Sequence, residues 1–308
     1  MADNRISMKK ASAFTPGHLT GLFQICDQPE DPIYKGSRGS GVSICKGVHT
    51  HVTAEPSAST SSVIKIDGEI RSDAFVSENV LAQMLPQLNE PYSIQIEHKL
   101  ETPMTAGFGS SGGGALSLAL AMNKSLSLDY SFIEVARVAH IAEIECKTGL
   151  GTVFAAIEAG FGVLVSPGGP GIGKGVYFED IEDLRVVYVY FGPIHTRDAL
   201  SNPELRKKIN ELGGKYVDEL HREQTPERFM EFSRSFSEHV GLITPRLRKA
   251  LDITDKAGYL CTMAMFGEVL FSVQWKENVN GLYELLKESI PNSSPVLCEL
   301  DGVGARLT

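Results

Sequence analysis

Residues 107–114 read GFGSSGGG, so five glycines and two serines fall within eight positions, directly ahead of an apolar helical pattern. The start of a helix carries unpaired N–H groups and partial positive charge, and both attract anions. Glycines at this place let the main chain wrap closely around a phosphate and tolerate a positive φ. Ser110 and Ser111 add hydroxyls, one of which could reach a cation that bridges phosphates. A tight turn with a helix cap would need fewer small residues, so the run predicts a phosphate-binding loop.

A second polar group lies in residues 131–146, an otherwise apolar helical segment. His140 and Glu143 are three positions apart and therefore share one face of that helix. A carboxylate on a buried helix needs a partner, and a magnesium ion held jointly with a serine of the loop would supply one. The alternative is a glutamate on the helix surface, which fits Glu145 on another face.

Two other nucleotide-binding patterns occur without the context that they need. GFGSSG at 107–112 fits the dinucleotide-binding GxGxxG, but residues 101–105 separate the glycines from the preceding strand pattern. GGPGIGKG at 168–175 fits GxxxxGK but lacks the following Ser or Thr, and no helical pattern comes after it. We therefore predict neither a dinucleotide-binding fold nor a GxxxxGK phosphate loop. Because a hydride-transfer enzyme would need the dinucleotide-binding fold, we set that function aside as well.

Hydrophobic periodicity predicts the elements that hold these groups. Strands are predicted at 63–70, with a turn at Asp67-Gly68, and at 92–98; buried helices are predicted at 110–122 and 131–146. The Gly- and Pro-rich segment 166–175 has the composition of a junction. Beyond it the pattern predicts a strand at 185–191, a helix at 203–220, a strand at 268–275, a short helix, and a strand at 295–300. The sequence thus predicts an α+β fold in two domains, about 1–170 and 171–308.

Composition narrows the class of protein. The chain has 308 residues, 42% of them hydrophobic, which is enough for a sizeable core. Its net charge of −9 argues against nucleic-acid and membrane surfaces. No run approaches the about 18 apolar residues of a membrane helix, and the N-terminus lacks an apolar stretch of signal-peptide length. The five cysteines are odd in number and form no CxxC, which disfavours a disulfide framework or zinc site. We expect a cytoplasmic globular protein.

Taken together, the motifs resemble those of the GHMP kinases, a family of small-molecule kinases that use ATP. Residues 103–115 are similar to the family's phosphate loop, PxxxGLGSSAA. Matching segments are AFTPGHLTGLF (13–23), the glycine-serine loop GSRGSGVSICKG (36–47), AHIAEIECKTGLGTV (139–153), SPGGPGIG (166–173) and a reduced third motif, MAMFGEVLF (263–271). The resemblance covers nearly the whole chain and is closest to the archaeal pantoate kinases. It implies an N-terminal domain like ribosomal protein S5 domain 2 and a ferredoxin-like C-terminal domain.

The resemblance also implies roles for individual residues. The ATP phosphates would lie in the loop formed by Pro103, Gly107, Gly109, Ser110, Ser111, Gly112, Gly113 and Gly114. Ser111 and Glu143 would hold Mg²⁺. Ser37 and His140 occupy positions that look like substrate contacts. Arg38 is a candidate partner for a substrate carboxylate, because arginine binds carboxylates bidentately, and a solvated loop arginine is its alternative.

Two positions depart from the family pattern. Thr152 stands where many relatives carry an aspartate often assigned as base, and threonine cannot take a proton at neutral pH. Phosphoryl transfer depends mainly on positioning and charge neutralisation, so activity does not require that base. We expect the Thr152 hydroxyl either to orient the acceptor or to cap the helix that starts there. Leu164 stands where some pantoate kinases carry an arginine. Either another residue therefore binds the charged group of the substrate, or the substrate differs.

The predicted reaction is therefore the phosphorylation of a primary hydroxyl of a small hydroxy acid, pantoate, for coenzyme A synthesis. A kinase that phosphorylates mevalonate 3-phosphate belongs to the same family and is the main alternative. A catalytically inactive, GHMP-like binding protein is the second alternative, which intact Ser111 and Glu143 disfavour. The sequence is compatible with a homodimer.

Overall fold

The computed structural model describes residues 8–194, 201–290 and 293–308. Its strands are β1 (Lys9–Cys26), β2 (Gly36–Pro56), β3 (Ser61–Ile66), β4 (Glu69–Ile70), β5 (Tyr92–Leu100), β6 (Phe161–Ser166), β7 (Lys174–Tyr177), β8 (Leu184–Pro193), β9 (Thr262–Met263), β10 (Gly267–Trp275), β11 (Val296–Glu299) and β12 (Arg306–Leu307). Its α-helices are α1 (Phe75–Met84), α2 (Ser110–Leu126), α3 (Phe132–Cys146), α4 (Thr152–Glu158), α5 (Pro203–Arg222), α6 (Pro226–Val240), α7 (Pro245–Lys256) and α8 (Lys276–Ser289).

The larger of two sheets has eight strands in the order β12-β1-β2-β5-β3-β4, with β6 paired to β2 and β7 paired to β6. All of its pairs are antiparallel except β3 with β5. The predicted turn joins β3 to β4, and Asp67 and Gly68 both have positive φ, at 51° and 86°. This is what a tight Asp-Gly hairpin turn requires.

The smaller sheet is antiparallel in the order β11-β8-β10-β9. Two hydrophobic cores accompany the two sheets. One joins α1–α4 to the first half of β1, the second half of β2, β3 and β5. The other joins α5–α8 and the smaller sheet to the second half of β1 and the first half of β2. The long strands β1 and β2 therefore belong to both cores, and the surface between the cores is built on them.

The predicted α+β fold and the predicted helices and strands are confirmed, apart from one segment. Residues 36–47, which the resemblance matched to the family's glycine-serine loop, are part of strand β2. The glycines there make room for the neighbouring strand, since a Cβ on Gly41 would lie 2.4 Å from the Leu19 carbonyl oxygen. The two-domain division near residue 170 stays a prediction; β7 and β12 belong to the larger sheet. Within the described ranges, no helix is long and apolar enough to cross a membrane.

Candidate active site

The glycine-rich segment forms a tight loop ahead of α2. Gly107 and Gly109 have φ of 77° and 67°, a conformation that favours glycine. Gly109 occupies the N-cap position, and no side chain caps the helix. The loop is fixed to β1 because the His18 N–H donates to the Phe108 carbonyl oxygen at 2.9 Å. The first N–H groups of α2 are thus left without a side-chain cap, as a phosphate site requires.

Glu143 lies beside this loop, in the last turn of α3. Ser111 Oγ donates to Glu143 Oε1 at 2.6 Å, and Thr148 Oγ1 donates to the same oxygen at 2.5 Å. Ser111 is in the first turn of α2, and Thr148 follows the left-handed residue Lys147 that ends α3. The predicted proximity of Ser111 and Glu143 is therefore present in the structure.

Two glycines make room for the Glu143 carboxylate. A Cβ on Gly112 would lie 2.8 Å from Glu143 Oε2, and one on Gly149 would lie 2.0 Å from it. Either substitution would push the carboxylate away from the loop. The glycines of the loop and of the turn 147–151 thus leave space for the carboxylate, in addition to allowing the backbone conformation.

The environment of Glu143 fits a magnesium ion. The side chain is 2% exposed, and no Lys or Arg of the described residues forms an ion pair with it. Burial raises the pKa of Glu143, while the hydrogen bonds from Ser111 and Thr148 lower it. A buried carboxylate with a hydroxyl at 2.6 Å and no basic partner suits a hard cation that completes its shell with phosphate oxygens and water. Among the described residues, no cluster of three or more His, Cys, Asp or Glu could hold a metal ion. An ion at Glu143 would therefore need phosphate oxygens and water as further ligands.

Ser110 adds a second indication of a ligand. Its hydroxyl is buried, and no described residue forms a hydrogen bond with it. A buried hydroxyl without a partner is uncommon, and a phosphate oxygen in the loop would give it one.

Thr152 is the first residue of α4 and faces the loop. The N-cap of α4 is Gly151, and no side chain caps the helix, so the capping role considered for Thr152 is wrong. A Cβ on Gly109 would lie 2.4 Å from Thr152 Cγ2. The side chain therefore packs against the loop, and its hydroxyl remains available to a ligand.

A cavity adjoins the loop and Thr152, with about 970 Å³ of space that includes the part open to solvent. Ser37 lines it from β2, and Leu164 lines it from β6. A Cβ on Gly151 would lie 2.4 Å from Ser37 Oγ, which places the serine against the turn that carries Thr148 and Thr152. Ser37 and Thr152, predicted from separate motifs, thus face one space beside the phosphate loop.

His140 has a different position. It is 1% exposed and does not line the cavity. Its Nε2 donates to the Lys35 carbonyl oxygen at 3.1 Å, just ahead of β2. Burial lowers the pKa of His140. The structure therefore places His140 behind the chain that carries Ser37, and its role as a substrate contact stays a prediction.

Arg38 faces away from the cavity, because successive residues of a strand point to opposite faces and Ser37 points inward. Arg38 Nε donates to the Val165 carbonyl oxygen at 2.8 Å, and Nη2 pairs with Asp218 of α5. Neither predicted environment, a substrate carboxylate or solvent, matches this position.

Sequence reasoning missed three cavity residues with titratable side chains, namely His18 of β1, Glu158 of α4 and Tyr177 of β7. His18 lies within the motif AFTPGHLTGLF, and this was a signal in the sequence. Glu158 and Tyr177 come from separate elements, and no local pattern connects them. Of the cavity's described lining residues, none is Lys or Arg.

Comparison with known proteins identifies the class. Residues 75–160, which contain the loop, Glu143 and Thr152, match the family model described as GHMP kinases N terminal domain. Together with the relatives given next, this shows that the chain belongs to the GHMP kinase family and is an ATP-dependent kinase.

The relatives are pantoate kinases. The chain is 32% identical to the pantoate kinase of Thermococcus kodakarensis, over 90% of this chain and 91% of that protein. It is 31% identical to the pantoate kinase of Methanocaldococcus jannaschii, over 93% of this chain and 99% of that protein. A solved phosphotransferase related to the CoA biosynthesis pathway is 29% identical and superimposes with a TM-score of 0.87, over 97% of this chain and 98% of the other.

Proposed function

We propose that this protein is a pantoate kinase, which transfers the γ-phosphoryl group of ATP to the primary hydroxyl of pantoate in coenzyme A synthesis. The observation that carries the proposal is the Ser111–Glu143 pair beside the glycine loop and the adjoining cavity. The similarity to pantoate kinases over 90% or more of the chain supports the choice of acceptor.

In this proposal the N–H groups of the loop and of the first turn of α2 bind the phosphates of ATP. Ser111 and Glu143 would hold Mg²⁺, and the ion would supply positive charge that neutralises the phosphates. Phosphoryl transfer through a loose transition state depends mainly on position and charge, which these residues supply.

The acceptor occupies the cavity. Ser37 and Thr20 both line it, and neither hydroxyl donates to a described residue, so both are free to bind a ligand. Because none of the described lining residues is Lys or Arg, hydroxyl and main-chain N–H donors bind the carboxylate of the acceptor. A phosphorylated acceptor such as mevalonate 3-phosphate carries more negative charge, and we therefore rank it second. A cytoplasmic location and a homodimer remain predictions from the sequence.

The test is an acceptor panel with purified protein, MgATP and pantoate, pantothenate, mevalonate, mevalonate 3-phosphate or homoserine. ADP release is followed continuously, and the product is identified by mass and ³¹P NMR. We expect pantoate to give the highest kcat/KM and a product phosphorylated on its primary hydroxyl. Faster turnover of mevalonate 3-phosphate would support the second candidate, and ATP binding without turnover of any acceptor would support an inactive binding protein.

A further inference from the structure

His18 lies on β1 directly beside the phosphate loop and lines the cavity. Its main-chain N–H is bonded to the Phe108 carbonyl oxygen of that loop at 2.9 Å. The cavity thus brings the imidazole and the loop glycines Gly107 and Gly109 to the same space.

The imidazole is held in place through one of its two nitrogens. His18 Nδ1 lies 3.3 Å from the Oγ of Ser43, a residue with no exposed surface on the paired strand β2. Nε2 lies over Gly41, where a Cβ would approach it to 2.4 Å. Only a glycine at position 41 leaves room for the ring in this orientation. Within the described part of the chain, Nε2 has no hydrogen-bond partner, so it is available to a ligand in the cavity.

The other side chains of the cavity do not offer an equivalent base beside the loop. Thr152 cannot take a proton at neutral pH. Glu158 ends α4, at the opposite end of the helix from Thr152, which packs against the loop. Burial, followed by the neighbouring Glu158, raises the pKa of Tyr177. Burial is also the sole cause that lowers the pKa of His18, to about 4, so its imidazole is neutral at pH 7 and its free nitrogen can accept a hydrogen bond from an alcohol.

We propose that His18 is a catalytic residue, whose Nε2 accepts the hydrogen bond and then the proton of the acceptor hydroxyl. This inference rests on the proposed function, because it requires an alcohol acceptor in the cavity. In this tautomer Nδ1–H donates to Ser43 Oγ, which leaves the Nε2 lone pair free. The acceptor oxygen bonds to the γ-phosphorus, the bond from that phosphorus to the ADP oxygen breaks, and the hydroxyl proton passes to Nε2. The imidazolium then releases the proton to water. His18 thus accepts the proton that Thr152 cannot accept.

The test compares three variants with the wild type on the best acceptor of the panel. His18→Gln keeps a polar group of similar length but cannot carry the proton. His18→Ala leaves a space between Ser43 and Gly41 that added imidazole can enter. His51→Gln is the matched control, because His51 Nδ1 also pairs with a serine, Ser12 Oγ at 2.7 Å, on the same two strands but outside the cavity.

We expect His18→Gln to lower kcat by about 100-fold or more, the range for loss of general base catalysis. The thermal stabilisation by MgADP should be unchanged, because the phosphate loop is intact. Added imidazole should raise the turnover of His18→Ala and leave that of the wild type and His18→Gln unchanged. His51→Gln should match the wild type.

A kcat of His18→Gln within about threefold of the wild type would overturn the proposal, since a lost proton acceptor costs far more. A large loss in His18→Gln combined with no rescue of a folded His18→Ala would also overturn it. If His18→Ala does not fold, kcat of His18→Gln decides alone. Failure of the proposed function is a separate result, because it shows in the wild type as the absence of pantoate turnover, whichever acceptor serves the His18 comparison.

Discussion

Substitution of Glu143 by glutamine tests the magnesium site with little change in shape. The amide oxygen can still accept from Ser111 Oγ and Thr148 Oγ1, which now donate at 2.6 and 2.5 Å. The substitution therefore removes one negative charge and retains the hydrogen bonds. Loss of one preorganised electrostatic contact to a transition state costs about 100- to 1,000-fold in rate, or about 2.7–4 kcal/mol. We expect a loss of kcat in this range at saturating magnesium, measured as ADP release with pantoate.

The thermal stability of Glu143→Gln should not fall as kcat does. The carboxylate is 2% exposed, and burial raises its pKa above the ordinary value of 4.5. A raised pKa in the folded state adds stability below the unfolded-state pKa, and this contribution is lost as the pH rises through the folded-state value. The melting temperature of Glu143→Gln should therefore equal or exceed that of the wild type at pH 7, and the difference should grow as the pH rises from about 4.5.

The matched control is Glu145→Gln on the same helix. Glu145 is exposed and accepts from Asn79 Nδ2 at 2.8 Å, so its loss should leave kcat unchanged. Near-normal turnover of Glu143→Gln at saturating magnesium would refute the metal assignment. A melting temperature well below that of the wild type would refute the reasoning about burial, because it would show that the charge itself stabilises the fold.

Three further results should follow. Ser111→Ala should lower kcat severely and weaken the magnesium dependence of MgADP binding, measured by calorimetry, while the protein stays folded. Thr152→Val should lower kcat/KM without lowering the melting temperature, because Gly151 holds the cap position, and Thr152→Asp should give no large rate gain if His18 takes the proton. His98 is 2% exposed, and burial lowers its pKa from 6.5 to about 4, so its contribution to stability is present above pH 6.5 and is lost as the pH falls through about 4. In chemical unfolding, the free energy of unfolding of His98→Gln should fall less steeply than that of the wild type as the pH falls over this range. An unchanged pH dependence would contradict this prediction.

The sequence by itself determined the features that depend on short-range backbone preferences. The glycine loop, the helices that follow it and the turn at Asp67-Gly68 were predicted from residues within a few positions of one another. The position of Glu143 on α3 followed from the helical period, and its pairing with Ser111 followed from the family resemblance. These predictions succeed because helix and turn geometry is set by local dihedral angles and hydrogen bonds.

The tertiary structure alone decided which way the residues of β1 and β2 face. The family resemblance matched residues 36–47 to a glycine-serine loop, but the segment is a strand, and close contact with β1 is what requires its glycines. Once the segment is a strand, Ser37 must face the cavity and Arg38 must face α5, where Asp218 lies 180 positions further along the chain. Strand pairing likewise turns His18 toward the cavity and leaves Gly41 beneath its ring. Such contacts join residues far apart in the chain, and their geometry is fixed only when the sheet and both cores are assembled.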